Sequence, residues 1–345
     1  MSAAETTGVA SELSSLSSIH ARYSVPGQHA TVVLERPSTA QHGDVDTQWA
    51  SAAADLRQFG ASATAIDLLG QLLDSTPRGR GPLLLTANND TAALCWLDFE
   101  TERSISVAPL PELLPALHQT LLIAAPTLGA VVDRSGADFF CVDRSDIEYI
   151  TTIEGAGEVS PKPIRGARAV SRNENQREVV WERNAALIST GIVTVADRIG
   201  TYGVMLTGDL SEVRLVESQL NDRRPGPVVV ADAGVRHHER TAPRLRDAVI
   251  ECRRQAEHNR VLYLLAELDT AGRAEGGAAR GSVDVRRAID SRRVGTLFVD
   301  LAAGRRSARI DEVISAALFQ GVDVVTGADF DVPDGVAAIL RPTGS

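Results

Sequence analysis

Five basic side chains, Lys162, Arg165, Arg168, Arg172 and Arg177, crowd into the segment SPKPIRGARAVSRNENQR against a single acid, Glu174. Guanidinium groups grip phosphate oxygens through paired hydrogen bonds, so this cluster suits contact with a polyanion such as RNA. Pro161, Pro163 and Gly166 interrupt helix formation and the small Ala167 and Ala169 follow, which predicts no helix before Arg172. Residues 159–173 are therefore expected as an extended basic projection that pays its ordering cost on meeting its partner. The plainer alternative is a solvated surface loop with no partner.

Other patterns that could do chemistry fail on spacing. Gly155-Ala156-Gly157 starts like a dinucleotide fingerprint, but Ser160 stands at the third glycine position and prolines follow. Gly276 and Gly277 lack the Gly-Lys-Ser/Thr of a phosphate-binding loop and read as a helix break. His237, His238 and Glu239 have no helical i, i+4 partner or cysteine pair to complete a metal site. Asp133, Asp138, Asp143 and Asp146 could hold two Mg²⁺ ions in a nuclease. They fall in or beside the turns DRSG and DRSD, where aspartate accepts backbone hydrogen bonds, and that role is preferred. Neither Gly-x-Ser-x-Gly nor HExxH occurs. The expectation is no enzyme, no cofactor and no metal.

The charge of the whole chain makes the basic segment out of character. The formal net charge is -10, which argues against a protein that coats nucleic acid with its entire surface. Residues 1–125 hold 13 acidic and 6 basic side chains, residues 126–236 hold 16 and 13, and residues 237–345 hold 16 and 16. Of the 35 basic residues only Lys162 is a lysine, a bias explained most simply by coding composition. Cys95, Cys141 and Cys252 are odd in number and far apart, as expected of buried reduced thiols. The first residues lack the basic start and apolar run of a secretory signal. No apolar run approaches the roughly 20 residues that span a bilayer, so a soluble, cytoplasmic chain is expected.

The elements that must position the basic segment follow from periodicity. At 345 residues more than one core is expected. His29 to Glu35, Pro82 to Leu85, Ala92 to Leu97 and Ser104 to Val107 read as strands, with helices from Asp46 to Phe59 and Ala63 to Leu73. From Leu121 closely spaced strands are expected in LLIAA, GAVVD, DFFCVD and IEYITTIEG, paired antiparallel. A helix from about Glu174 to Arg198, strand Val204 to Leu206, helix Leu210 to Leu220 and strand Val228 to Ala231 complete a ribonuclease-H-like order. A long helix from about Thr241 to Leu268 opens the last third. Alternating short helices and strands from Val283 to Leu340 then read as an α-β-α sandwich. The expected class is α/β in three domains: residues 1–120, 121–236 and 237–345. Ser11 to Ser18 is left as low complexity.

This order, together with GAVVDRSGADFF, RGARAVSRNENQREVVWERNA, GVMLTGDLSEVRLVESQL, PVVVADAG, GSVDVRRAIDSRRVGTLFVD and DEVISAALFQGVDVV, resembles the bacterial relatives of archaeal and eukaryotic peptide release factors and of Pelota. The ribosome-hibernation factor Balon belongs to this group, and the chain resembles it. The resemblance covers about Leu121 to Arg341, fits the aminoterminal unit loosely, and implies a Pelota-like carboxyl-terminal domain. Release factors of this superfamily carry Gly-Gly-Gln in the corresponding loop, where the glutamine positions a water on the peptidyl-tRNA ester. Here Gly166, Ala167 and Arg168 stand at those positions. The resemblance thus implies a ribosome-bound factor that occupies the acceptor site, contacts rRNA near the peptidyl-transferase and decoding regions, and does not hydrolyse peptidyl-tRNA. Its GTPase partner would be elongation factor Tu. The implied RNA-binding residues are Lys162, Arg165, Gly166, Ala167, Arg168, Arg172 and Arg177. A release or rescue factor and a metal-dependent nuclease are the alternatives.

Overall fold

The structure, a computed structural model, describes residues 10–35, 42–76, 81–123, 127–143, 146–156, 167–201, 203–220, 228–231, 241–274, 276–304, 309–328 and 330–341. Among the described residues it is an α/β chain with three sheets. The first region contains β1 (Ala10–Glu12), α1 (Leu16–Tyr23), β2 (His29–Leu34), α2 (His42–Gln58), α3 (Ala63–Ser75), β3 (Leu83–Ala87), β4 (Ala92–Trp96), β5 (Ser104–Ala108) and α4 (Leu114–Ile123). Its strands lie in the order β1-β4-β3-β2-β5. The middle region contains β6 (Thr127–Asp133), β7 (Gly136–Asp143), β8 (Asp146–Glu154), α5 (Ala167–Ile199), β9 (Gly203–Gly208), α6 (Leu210–Leu220) and β10 (Val228–Val230). After α7 (Thr241–Arg273) come β11 (Ala278–Arg280), α8 (Ser282–Asp290), β12 (Val294–Asp300), α9 (Leu301–Gly304), α10 (Arg309–Phe319), β13 (Asp323–Gly327) and β14 (Val336–Leu340).

The middle sheet has the order β10-β9-β6-β7-β8, with β6-β7-β8 an antiparallel meander and β9 and β10 added parallel beyond β6. This is the ribonuclease-H-like order that the sequence predicts. Apolar side chains of α5 and α6, among them Ile188, Ile192, Val213 and Val216, bury one face against Leu128, Val132, Phe139 and Leu206. Val249 and Cys252 of α7 cover the other face over Val131, Val142 and Met205. Arg253 follows them inward, donating to the Thr127 hydroxyl at 3.2 Å and the Val142 carbonyl at 2.6 Å.

Contacts divide the chain into two compact units, residues 1–121 with 261–345, and residues 122–260. The expected boundary at residue 237 cuts through neither sheet, but the long helix after it is shared. Its residues up to Arg260 pack in the middle unit, while Val261 and Leu268 pack on Phe298, Val325 and Phe330 of the last sheet. That sheet, ordered β11-β14-β12-β13, is the expected sandwich, with α8 and α10 on its other face. Those two helices share one core with α1, α4 and the inner face of the first sheet, through Ile19, Leu113, Leu117, Ile289, Ile314 and Val324.

Three sequence expectations are corrected. LLIAA is not a strand, because Leu121 to Ile123 finish α4; a short apolar run has no period to separate strand from helix. The serine-rich stretch from Ser11 to Ser18 is structured. It contains a parallel edge pairing of β1 with β4, and a capping box in which the Ser15 and Ser18 side chains each accept from the other's backbone N–H. Strand β11 was not expected, three residues being too few to show alternation.

Asp311 in α10 is buried at the junction of the first and last regions. Its Oδ1 accepts from the Tyr23 hydroxyl at 2.8 Å and from the Leu113 N–H at 3.4 Å. Burial first, then the nearby Glu112, pushes its carboxyl up to about 7. The folded state therefore keeps a proton that the unfolded chain releases near 3.8. The resulting stabilisation is complete below the unfolded value and is lost as pH rises through about 7. Asp311→Asn retains an acceptor and removes the titration. Its stability relative to wild type should rise by about 1–3 kcal/mol between about pH 5 and 8, read from urea unfolding. The comparison cancels His118, which burial pushes down to about 4 and which works in the opposite direction.

Candidate nucleic-acid interface

Helix α5 is the element on which the basic segment stands. Its apolar stripe, Ala185, Ile188, Ile192, Val195 and Ala196, is buried on the sheet. The Ser189 hydroxyl donates to the Ala185 carbonyl within the helix and lies 3.2 Å from the Val216 carbonyl of α6. The helix starts at Ala167, seven residues before the predicted Glu174. Ala167, Arg168, Arg172 and Arg177 are therefore helical in backbone, and the extended projection expected through residue 173 is corrected from Ala167 onward. Alanine is the strongest helix former, and the breakers Pro161, Pro163 and Gly166 all precede the first turn. Positions 168 and 172 lie about one turn apart along the helix. Lys162, Arg165 and Gly166 lie outside the described residues.

The base of α5 is bonded as closely as its stripe is packed. Asn184 is 2% exposed. Its Oδ1 accepts from the Ala156 N–H at 2.9 Å, and its Nδ2 donates to the Arg134 carbonyl at 2.9 Å and the Ala156 carbonyl at 3.3 Å. Gly155, the residue after β8, donates its N–H to the Ser135 carbonyl at 2.6 Å. A Cβ on Gly155 would lie 2.4 Å from the Asn184 side chain, so the contact requires glycine. The Arg134 guanidinium lies 4.4 Å from the Trp181 ring centroid, and its Nε is 3.7 Å from Glu212.

Geometry follows from these contacts. Ala156 lies against Asn184, and Ala167 starts the same helix 17 residues earlier. At the α-helical rise this is roughly 25 Å along the axis. The chain leaves the sheet at the middle of α5 and re-enters the helix at its far end.

The carboxylates at the carboxyl ends of β6 and β9 serve local structure. Asp133 Oδ1 accepts from the N–H groups of Ser135 and Gly136 and from the Ser135 hydroxyl, as its turn motif predicts. Asp138 accepts from the Thr152 hydroxyl across the β7–β8 pair. Asp209 opens α6 by accepting from Ser211, which holds its carboxyl below the ordinary range. Burial, then Asp209, pushes Glu212 up, opposed by Arg134. Among the described residues no group of three His, Cys, Asp or Glu side chains could hold a metal ion. The side chains of Asp143 and Asp146 and all of His237, His238 and Glu239 lie outside the described residues. Cys95 and Cys252 are buried and pushed up to about 12, as inert thiols. Gly276, at φ +68, turns the chain out of α7 toward β11. Among the described residues no helix is long and apolar enough to cross a membrane.

Sequence reasoning missed Asn184. The signal was there: it is a polar residue on the stripe of Trp181, Ile188 and Ile192, where a buried amide must find partners.

A sheet of order β10-β9-β6-β7-β8 with a long helix emerging from its meander defines the class of the middle unit as ribonuclease-H-like. Residues 126–274 match the family model of bacterial archaeo-eukaryotic release factor family 2. No curated protein matches the chain. Among solved structures, Archaeoglobus fulgidus Pelota aligns at 13% identity over 95% of this chain and 92% of its own, with a TM-score of 0.45. A ribosome-bound archaeal Pelota with ABCE1 aligns at 13% identity over 95% and 94%, with a TM-score of 0.44. Saccharomyces cerevisiae Dom34, a translation termination-like factor interacting with Hbs1, aligns at 12% over 79% and 76%, with a TM-score of 0.36.

The turn reading of Asp133 makes a specific demand. Asp133→Ala, which orphans two backbone N–H groups, should cost about 1–2 kcal/mol in urea unfolding. Asp133→Asn, which keeps an acceptor oxygen, should cost less than half as much. Equal losses would count against the turn role.

Proposed function

We propose that the protein is a ribosome-binding translation factor of the hibernation type, similar in role to Balon, which occupies the acceptor site of idle ribosomes without hydrolysing peptidyl-tRNA. One observation carries this reading: the helix that bears Arg168, Arg172 and Arg177, in a region that matches a release-factor family model, starts roughly 25 Å along its axis from its buried contact at Asn184. A protein that must place positive charge deep within an RNA-walled site requires such reach. Arginine and lysine contacts to rRNA phosphates supply the affinity through counterion release.

Gly166, Ala167 and Arg168 stand where the resemblance places the hydrolytic tripeptide. A guanidinium grips phosphate, and it does not offer the compact amide that orients a water on an ester. Occupancy without chemistry follows. The aminoterminal region would face the decoding region, and the last sheet with α8 and α10 would contact a translation GTPase, elongation factor Tu by resemblance. The protein would act in the cytoplasm. A release or rescue factor is the competing reading, and a nuclease using Asp133 and Asp143 is disfavoured by the engagement of Asp133 in its turn.

Binding of purified protein to vacant ribosomes, measured by pelleting across a salt series, tests the proposal. Replacing Arg165, Arg168 and Arg172 together by alanine should weaken binding and flatten the slope of log K against log salt by about 2. An unchanged slope would sink the reading. Release of labelled peptide from a stalled complex would favour the rescue factor, and Mg²⁺-dependent loss of RNA the nuclease.

A further inference from the structure

We infer that Asn184 is the positioning residue of the α5 arm: one buried amide ties α5 to the end of β8 and to the β6–β7 turn, and thereby sets where the start of the helix, with its arginines, is held. The inference rests on the reading of the segment as an RNA contact. The outgoing leg is α5, which carries Asn184 itself. The incoming leg leaves the sheet at Ala156, whose N–H and carbonyl both bond to the Asn184 side chain. The remaining Nδ2 hydrogen bonds the Arg134 carbonyl in the β6–β7 turn. Both polar atoms of the amide are used, with two bonds to Ala156 after β8 and one to Arg134 in the β6–β7 turn.

Two further observations support this. Gly155 and Asn184 are in contact so close that a Cβ at position 155 would lie 2.4 Å from the Asn184 side chain, which seats the end of β8 directly on the amide. Trp181, one turn nearer the tip than Asn184, lies under the Arg134 guanidinium, which braces the same turn from the side. A lever amplifies what happens at its base. A tilt of roughly 10° at Asn184 moves a tip about 25 Å away by roughly 4 Å, more than a hydrogen-bond length. Asn184 therefore touches no RNA in this scheme, yet decides whether the arginines meet their phosphates together.

The test separates the anchor from the RNA contact. Asn184→Ala and the near-isosteric Asn184→Leu, which removes the acceptor for Ala156 and both donors while filling the space, are compared with the triple arginine variant. Hydrogen exchange of the Ala156 amide should accelerate by roughly tenfold or more in both Asn184 variants, while amides in the centre of β6 and β9 keep their protection. Ribosome affinity at fixed salt should fall by roughly tenfold or more with the salt slope unchanged, because the same phosphate contacts are made less often. Exchange at Ala156 as slow as in wild type would overturn the anchor. Faster exchange with undiminished ribosome affinity, where the arginine variant has lost it, would overturn the positioning role. If the arginine variant itself binds like wild type, the RNA-contact reading fails, positioning of an RNA contact fails with it, and the exchange data decide the anchor alone. Should Asn184→Ala not fold, Asn184→Leu carries both measurements.

Discussion

A buried amide cannot be moved without being satisfied again, and this fixes the middle unit. Asn184 lies at 2% exposure on the face of α5 that packs against the sheet. Sliding the helix by one residue would rotate it by about 100° and carry the amide away from Ala156 and Arg134, leaving polar groups on both sides unpaired at a cost of several kcal/mol. The apolar stripe alone does not impose such a register, since Ala185, Ile188, Ile192 and Val195 pack through non-directional contacts that tolerate repacking. Hydrophobic burial holds α5 to the sheet, and hydrogen bonding decides where along the sheet it sits. The direction of the arm depends on the second.

The other compact unit uses a buried polar group differently. Asp311 joins the first and last regions through Tyr23 and the Leu113 backbone, inside a core that already spans both. A carboxyl kept protonated by burial acts as one more hydrogen-bonding group, until pH rises far enough to charge it. Nearly the first and last thirds of the chain are thus one body, so a force applied to one is felt by the other.

Much of the fold was legible because its elements are long and periodic. The meander β6-β7-β8 is announced by DRSG, and α6 occupies the predicted residues Leu210 to Leu220. What was illegible was local. The alanines at 167 and 169 were read as loop because of the prolines before them, although alanine without a breaker continues a helix. Leu121 to Ile123 looks the same in a strand as in a helix. The anchor escaped because an asparagine announces burial by its position on an apolar stripe, and its partners at Arg134 and Ala156 are 50 and 28 residues away. The basic cluster was found for the opposite reason: charge out of character with its surroundings needs no partner to be seen.

That contrast in charge has a physical scale. Outside residues 160–177 the middle third holds 15 acidic and 8 basic side chains, so the body that bears the arm repels RNA while the segment attracts it. At physiological ionic strength the screening length is about 8 Å. Had the basic residues been spread over the sheet, Asp133, Asp209 and Glu154 would neutralise them within that distance. An arm of roughly 25 Å places its tip about three screening lengths from its base, where the acids at the base are scarcely felt. A polyanion then meets the two ends of one helix as separate objects, one attractive and one repulsive. If the segment contacts RNA as proposed, such a distribution of charge would favour contact tip first.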